Sequence, residues 1–192
     1  MERVEEYAVQ IFLRMGESEF VAFFGLIVLG FILSAIFNKK GVQLRRAPFF
    51  AYINMLGFFG AASGIIWLYW PQALLGGFIW ALLLLNFIIY LGIGYIGGKI
   101  TMARSLDGFG TRKIAVISFV PILNLLLLFK RSKSGISPAH VSAVPLLNGG
   151  MGIITGLFFL ILSVSFNSYL ELEMTRINED FQNYIENNQP FR

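Results

Sequence analysis

The chain has 192 residues, 56% of them apolar and only 14% charged, with a mean hydropathy of +0.70. A soluble domain carries about 25% charged residues, so this composition argues against a water-soluble globule and for a lipid solvent. The net charge of +4 comes without a basic helix or an aromatic RNA motif, which argues against nucleic acid as a partner, and the absence of cysteine excludes disulfides and thiolate metal sites.

In residues 1–17, Val4, Tyr7, Ala8, Ile11, Phe12 and Met15 recur at helical spacing among charged side chains, which predicts an amphipathic helix lying on the membrane surface. Ser18 is a suitable N-cap for the next element. Residues 20–37 are uncharged and would extend about 27 Å as a helix, close to the hydrocarbon thickness, so they form the first predicted span. The acidic segment before this span and the lack of a small-x-small site after it argue against a cleaved signal peptide. A second span, 48–70, opens at Pro48 and closes on Trp67, Tyr69 and Trp70, side chains suited to the membrane interface. Pro71 and Gln72 then read as a short turn into a third span at 73–97, which makes a hairpin. A fourth span covers 146–169, and residues 170–192 read as a helical tail.

Between the third and fourth spans, residues 114–129 form an apolar run of marginal length, broken by Pro121 with Asn124 close behind. Lys99, Arg104, Arg112 and Lys113 precede it, and Lys130, Arg131 and Lys133 follow it. The loop after the first span carries Lys39, Lys40, Arg45 and Arg46 and no acid, whereas both tails are net acidic. All concentrated positive charge falls on the cytoplasmic side if 114–129 enters and returns as a re-entrant hairpin. The expected fold class is therefore an all-α integral membrane protein with four transmembrane helices plus a re-entrant or short broken fifth segment, both termini being extracytoplasmic. Five full spans is the alternative, and it would put one basic loop outside.

Several patterns within this frame bear on function. Gly92-x-Gly94-x-x-Gly97 matches a dinucleotide fingerprint by letter, but it sits late in an apolar run rather than between a strand and a helix. Close helix packing explains it better, as it does Gly94-x-x-x-Gly98, Gly60-x-x-x-Gly64 and Gly152-x-x-x-Gly156. The predicted spans hold no Asp, Glu, Lys, Arg or His, which argues against a proton-coupled pump. Their asparagines read as hydrogen-bond links between helices; the sharper alternative is a polar path lined by Asn54, Asn86, Asn124 and Asn148. His140 is the only histidine and Asp107 the only acid between Glu19 and Glu171, so no catalytic residue, metal site or cofactor site is expected. Leu170, Met174, Ile177, Phe181 and Tyr184 are spaced 4, 3, 4, 3 and form a candidate assembly seam.

Arg104 and Asp107 stand three residues apart beside Gly108 and Gly110, which reads either as a structural clasp or as a docking or headgroup site with Arg112 and Lys113. The stretch Ala103-Arg104-Ser105-Leu106-Asp107-Gly108-Phe109-Gly110, with the following run through Pro121 and Asn124, resembles a family of uncharacterised small bacterial inner-membrane proteins. That family has an Ala-Arg-x-x-Asp-x-x-Gly stretch ahead of an apolar Pro-Leu-x-Asn-Leu-like run. The match covers about thirty residues; Leu106 replaces the family's usual polar residue, and a tryptophan-rich segment after the glycine is absent. The resemblance implies a bacterial inner membrane and no activity.

Together these readings lead to a non-enzymatic accessory, scaffold or sensor subunit, either a homo-oligomer or part of a larger membrane complex, with membrane lipid as its solvent. The alternative is a small channel or facilitator whose path runs around the re-entrant Pro121 turn. Because the chain lacks cysteine, its topology can be read by single-cysteine labelling. Probes at Gly41, Gly110 and Gly135 are expected to label from the cytoplasm and one at Gln189 from outside. Labelling of Gly110 and Gly135 from opposite sides would establish five spans.

Overall fold

The computed structural model describes residues 19–38, 43–119, 121–132 and 145–188. The expected surface helix at 1–17, the Ser18 cap, Gly41, Gly135 and His140 lie outside the described residues, as do the side chains of Pro121 and Asn124.

Among the described residues the regular elements are helices. They are α1 (Glu19–Phe37), α2 (Arg46–Ser63) with a 3-10 extension (Gly64–Tyr69), α3 (Trp70–Leu75), α4 (Ile79–Phe109), a 3-10 stretch (Lys113–Phe119), α5 (Pro121–Phe129), a 3-10 turn (Pro145–Leu147) and α6 (Gly150–Asn188). Three units, Arg46–Leu75, Ile79–Phe109 and Gly150–Tyr184, are long and apolar enough to cross a membrane, and Val21–Phe37 is a shorter apolar helix. Ile36, Ile88 and Ile161, on three different helices, are each more than half exposed. Large apolar side chains left uncovered on every long helix would be a liability in water and are solvated in hydrocarbon. The chain is a helical membrane protein.

Contacts along the helices fix their directions. On α1 and α4, Phe23 stacks on Tyr90 with ring centroids 4.4 Å apart, Gly30 meets Leu91 and Gly94, and Ser34 meets Gly98, so the two helices run parallel. On α2 and α6, Ala47 meets Gly152, Phe50 meets Gly156, and Gly64 meets Leu170, so these two are parallel as well. A turn at 76–78 connects the pairs, which therefore run in opposite directions. The ends of α1 and α4 and the starts of α2 and α6 share one end of the bundle.

The glycines set how closely each pair approaches. A Cβ on Gly94 would lie 2.2 Å from the Ile27 carbonyl oxygen, and one on Gly30 would lie 2.2 Å from that of Leu91, so α1 and α4 touch backbone to backbone. On α6, Gly152 meets the backbone of Ala47 and, locally, the Leu147 carbonyl, while Gly156 meets chiefly the Phe50 ring. The four-residue pattern does not always mark a close approach, because Gly60 makes only an ordinary contact with Ile93. Gly30 belongs to none of the spacings read from the sequence.

Three boundaries differ from the expected ones. Pro71 does not make the hairpin turn: it stands in the first turn of α3, where its missing amide costs nothing. The turn comes at Gly76–Phe78, with Gly77 at φ 68 and bonds from Phe78 N to Ala73 O and from Gly77 N to Leu74 O, the pairing of a Schellman motif. The third span starts later and runs further, through Arg104 and Asp107 to Phe109. Gly108 stays helical, and only Gly110, at φ 75, turns the chain. A cysteine at Gly110 is thus strained, and exposed Lys113 is the better probe position. Finally, the fourth span starts at Gly150 rather than at 146, and it continues into the tail as a single helix, α6, as expected.

Gly92 and Gly94 provide an internal comparison, because a Cβ on Gly92 would meet nothing within 4 Å. Gly94→Ala is expected to destabilise the bundle by about 1–3 kcal/mol, while Gly92→Ala is neutral or slightly stabilising. Thermal unfolding in detergent tests this, and equal midpoints for the two variants would contradict the packing described.

Candidate functional site

Helix α4 ends at the basic end of the bundle, where its last three turns bury Thr101, Arg104, Ser105, Asp107 and Gly108. The sequence folds this way because Leu106 and its neighbours continue the helix until Gly110 adopts the left-handed conformation and its amide bonds the Leu106 carbonyl at 3.0 Å.

Arg104 is fully buried, and its guanidinium reaches three other parts of the chain. Nε donates to Leu127 O at 2.6 Å, Nη1 to Leu44 O at 3.5 Å and to the Asp107 carboxylate, and Nη2 to Lys130 O. The Leu127 and Lys130 carbonyls lie at and just past the end of α5, where a helix leaves acceptors without intrahelical partners and its dipole favours a cation. Leu44 precedes α2, and its own amide bonds the Ala103 carbonyl at 3.1 Å. Asp107 supplies the counter-charge and also accepts from Ser132 Oγ at 2.6 Å.

The neighbouring residue, Ser105, donates to Thr111 O at 2.6 Å. Thr111 lies just before the broken segment and Lys130 just after it, so both ends of that segment are fastened to adjacent residues of α4. Arg112 donates to Asn38 O at 2.6 Å, just past the last residue of α1, and Lys113 is exposed. Of the four residues read as a clasp or docking site, Arg104 and Asp107 form one buried pair, Arg112 ties α1 to the same end, and Lys113 faces outward. Leu44, Ser105, Thr111 and Ser132 complete the arrangement. All four contributions are backbone carbonyls or lone hydroxyls, which leave no signature in a sequence.

Asn54 and Asn86 bond within their own helices rather than between helices. Asn54 Nδ2 donates to Phe50 O and Asn86 Nδ2 to Leu82 O. The Asn86 and Asn148 side-chain oxygens are buried without a partner. A cavity of about 390 Å³ between α1, α2 and α4 is lined mainly by apolar residues such as Ile53, Leu56 and Ile93, and by neither Asn54 nor Asn86. Asn148 lies elsewhere, at the basic end.

In the seam on α6, Leu170 is buried against Gly64, and Phe181 packs edge-on against Trp70 with centroids 4.7 Å apart. Trp70 Nε1 also donates to Asn178 Oδ1 at 3.2 Å. Met174 and Ile177 are half-buried and Tyr184 is exposed. Part of the seam is thus covered by the chain's own α2 and α3, because α6 runs beside them well beyond its uncharged stretch.

In comparison with known proteins, the chain matches no family model, no curated protein and no solved structure.

Removing either member of a buried ion pair strands the other, which costs about 3–5 kcal/mol. Arg104→Ala and Asp107→Ala are each expected to lower folded yield and thermal midpoint sharply, and the double variant to be little worse than Arg104→Ala alone. Arg104→Lys does not rescue, because an ammonium cannot reproduce the planar fork that reaches three carbonyls. Fully additive losses would show that the two side chains act independently.

Proposed function

We propose that this protein is a non-enzymatic accessory, scaffold or sensor subunit of a membrane complex, in a bacterial inner membrane, with four crossing helices, a re-entrant 114–129 segment and both termini outside. The orientation rests on the positive charge around Arg45, Arg46, Arg112, Lys113, Lys130 and Arg131 at one end of the bundle. The re-entrant reading is supported by the attachment of Thr111 and Lys130 to neighbouring residues of α4. The resemblance to a bacterial inner-membrane family belongs to the same proposal.

The observation that carries the functional reading is the length of α6. Its 39 residues correspond to about 58 Å, nearly twice the hydrocarbon thickness. Gly150–Leu170 contains no charge and accounts for about one crossing, after which Glu171, Glu173, Glu179 and Asp180 mark a stem that continues as the same helix. The stem is braced at its base by Leu170 on Gly64 and further along by Phe181 on Trp70. A braced acidic stem that still carries half-buried Met174 and Ile177 and exposed Tyr184 is built to hold something at a set height above the bilayer. The channel alternative draws less support, because the cavity at mid-depth is apolar and the asparagines do not converge on it.

Ile177→Asp combined with Tyr184→Asp is expected to lower the assembled mass in mild detergent while leaving the unfolding midpoint within about 2–4 °C of the parent, the shift of one modest perturbation. Phe181→Asp, which breaks the brace, lowers the midpoint as well. If the Ile177/Tyr184 variant assembles like the parent, the stem is not an assembly element.

A further inference from the structure

A second cavity, of about 680 Å³, opens at the basic end between the start of α2, the end of α5 and the start of α6. Arg45 and Arg46, both exposed, line it beside an apolar wall of Phe50, Phe129, Ile153 and Leu157. No ion pair forms at either arginine among the described residues. Asp107, the one acid between Glu19 and Glu171, is committed to Arg104. Gly149 and Gly150 also line the cavity, and a Cβ on either would meet nothing within 4 Å, so the backbone opening α6 is open to a ligand. Asn148 Oδ1 is enclosed there without a donor.

We propose that this groove binds one anionic phospholipid. The phosphate lies between the Arg45 and Arg46 guanidinium groups, near the first amides of α6, where a helix N-terminus favours negative charge. An acyl chain lies along Phe50, Ile153 and Leu157 toward the bilayer. Charge complementarity identifies the occupant: two cations with no acid to pair with among the described residues, above an apolar wall that a free phosphate could not use. The site differs from the one centred on Arg104 and Arg112, whose side chains are spent on backbone carbonyls.

The test is native mass spectrometry of the full chain released from nanodiscs of phosphatidylglycerol mixed with phosphatidylcholine. The parent should retain one phosphatidylglycerol per chain in preference to phosphatidylcholine. Arg45→Gln with Arg46→Gln should reduce that retention on the order of 30-fold, from the usual worth of two basic residues at an anionic surface. Lys113→Gln with Arg131→Gln removes two exposed cations from the same end but outside the groove, and should leave retention within about twofold. Equal losses in the two variants would mean diffuse surface charge and overturn the proposal, as would no preference between the lipids. Displacement of the lipid by millimolar inorganic phosphate would also overturn it, in favour of a phosphate site. Unfolding midpoints in uncharged detergent, expected to be equal for parent and both variants, establish that a loss of lipid is not a loss of fold.

Discussion

A guanidinium inside a membrane protein is tolerated only where protein groups replace the water it loses. Arg104 meets that condition by collecting acceptors from three separate parts of the chain: Leu44 before α2, Leu127 and Lys130 at the end of α5, and Asp107 one turn along its own helix. The requirement works in both directions. The charge needs those carbonyls, and the carbonyls at the end of a short broken helix need a donor, because lipid offers none. Satisfying both draws the broken segment, the loop between α1 and α2 and the last turns of α4 into one joint. Arg112 adds the end of α1 through Asn38.

Away from this joint the bundle holds by a different principle. Hydrocarbon gives apolar side chains little reason to prefer one another, so helices associate through close van der Waals contact. Gly30, Gly94 and Gly98 bring α1 against α4, and Gly152 and Gly156 bring α6 against α2. Both pairs are parallel, and the turn at Gly77 joins them. The exposed arginines, the open backbone at Gly149 and the groove beneath them then lie at the same end as the joint, while the braced stem of α6 leaves at the other.

The parts of this architecture legible in the sequence are those written in side-chain type. Uncharged runs gave away the long helices, and the three-residue spacing of Arg104 and Asp107 marked a pair before its surroundings were known. The turn lies after α3 rather than at Pro71 and Gln72, because proline is equally at home in a first turn and the Gly76-Gly77 pair is the stronger signal. The other acceptors of Arg104 are backbone oxygens, which any residue provides, so no pattern could have named Leu127 or Lys130. Gly30 was missed because its partner, Gly94, is on another helix. Arg45 and Arg46 read only as topogenic charge, since nothing in the sequence shows that Phe50 and Ile153 form a groove beneath them.

The central claim is that the joint at Arg104 gathers both ends of the broken segment at one end of the bundle, and a distance across that segment tests it most directly. Spin labels at Lys113 and Arg131, measured by pulsed dipolar spectroscopy in lipid nanodiscs, are expected to give a single distribution centred at roughly 20 Å or less, label arms included, since both sites lie within a few residues of contacts to Arg104 and Ser105. A distribution centred at about 30 Å or more, the thickness of the hydrocarbon core, would mean that the segment crosses the membrane and would contradict the account.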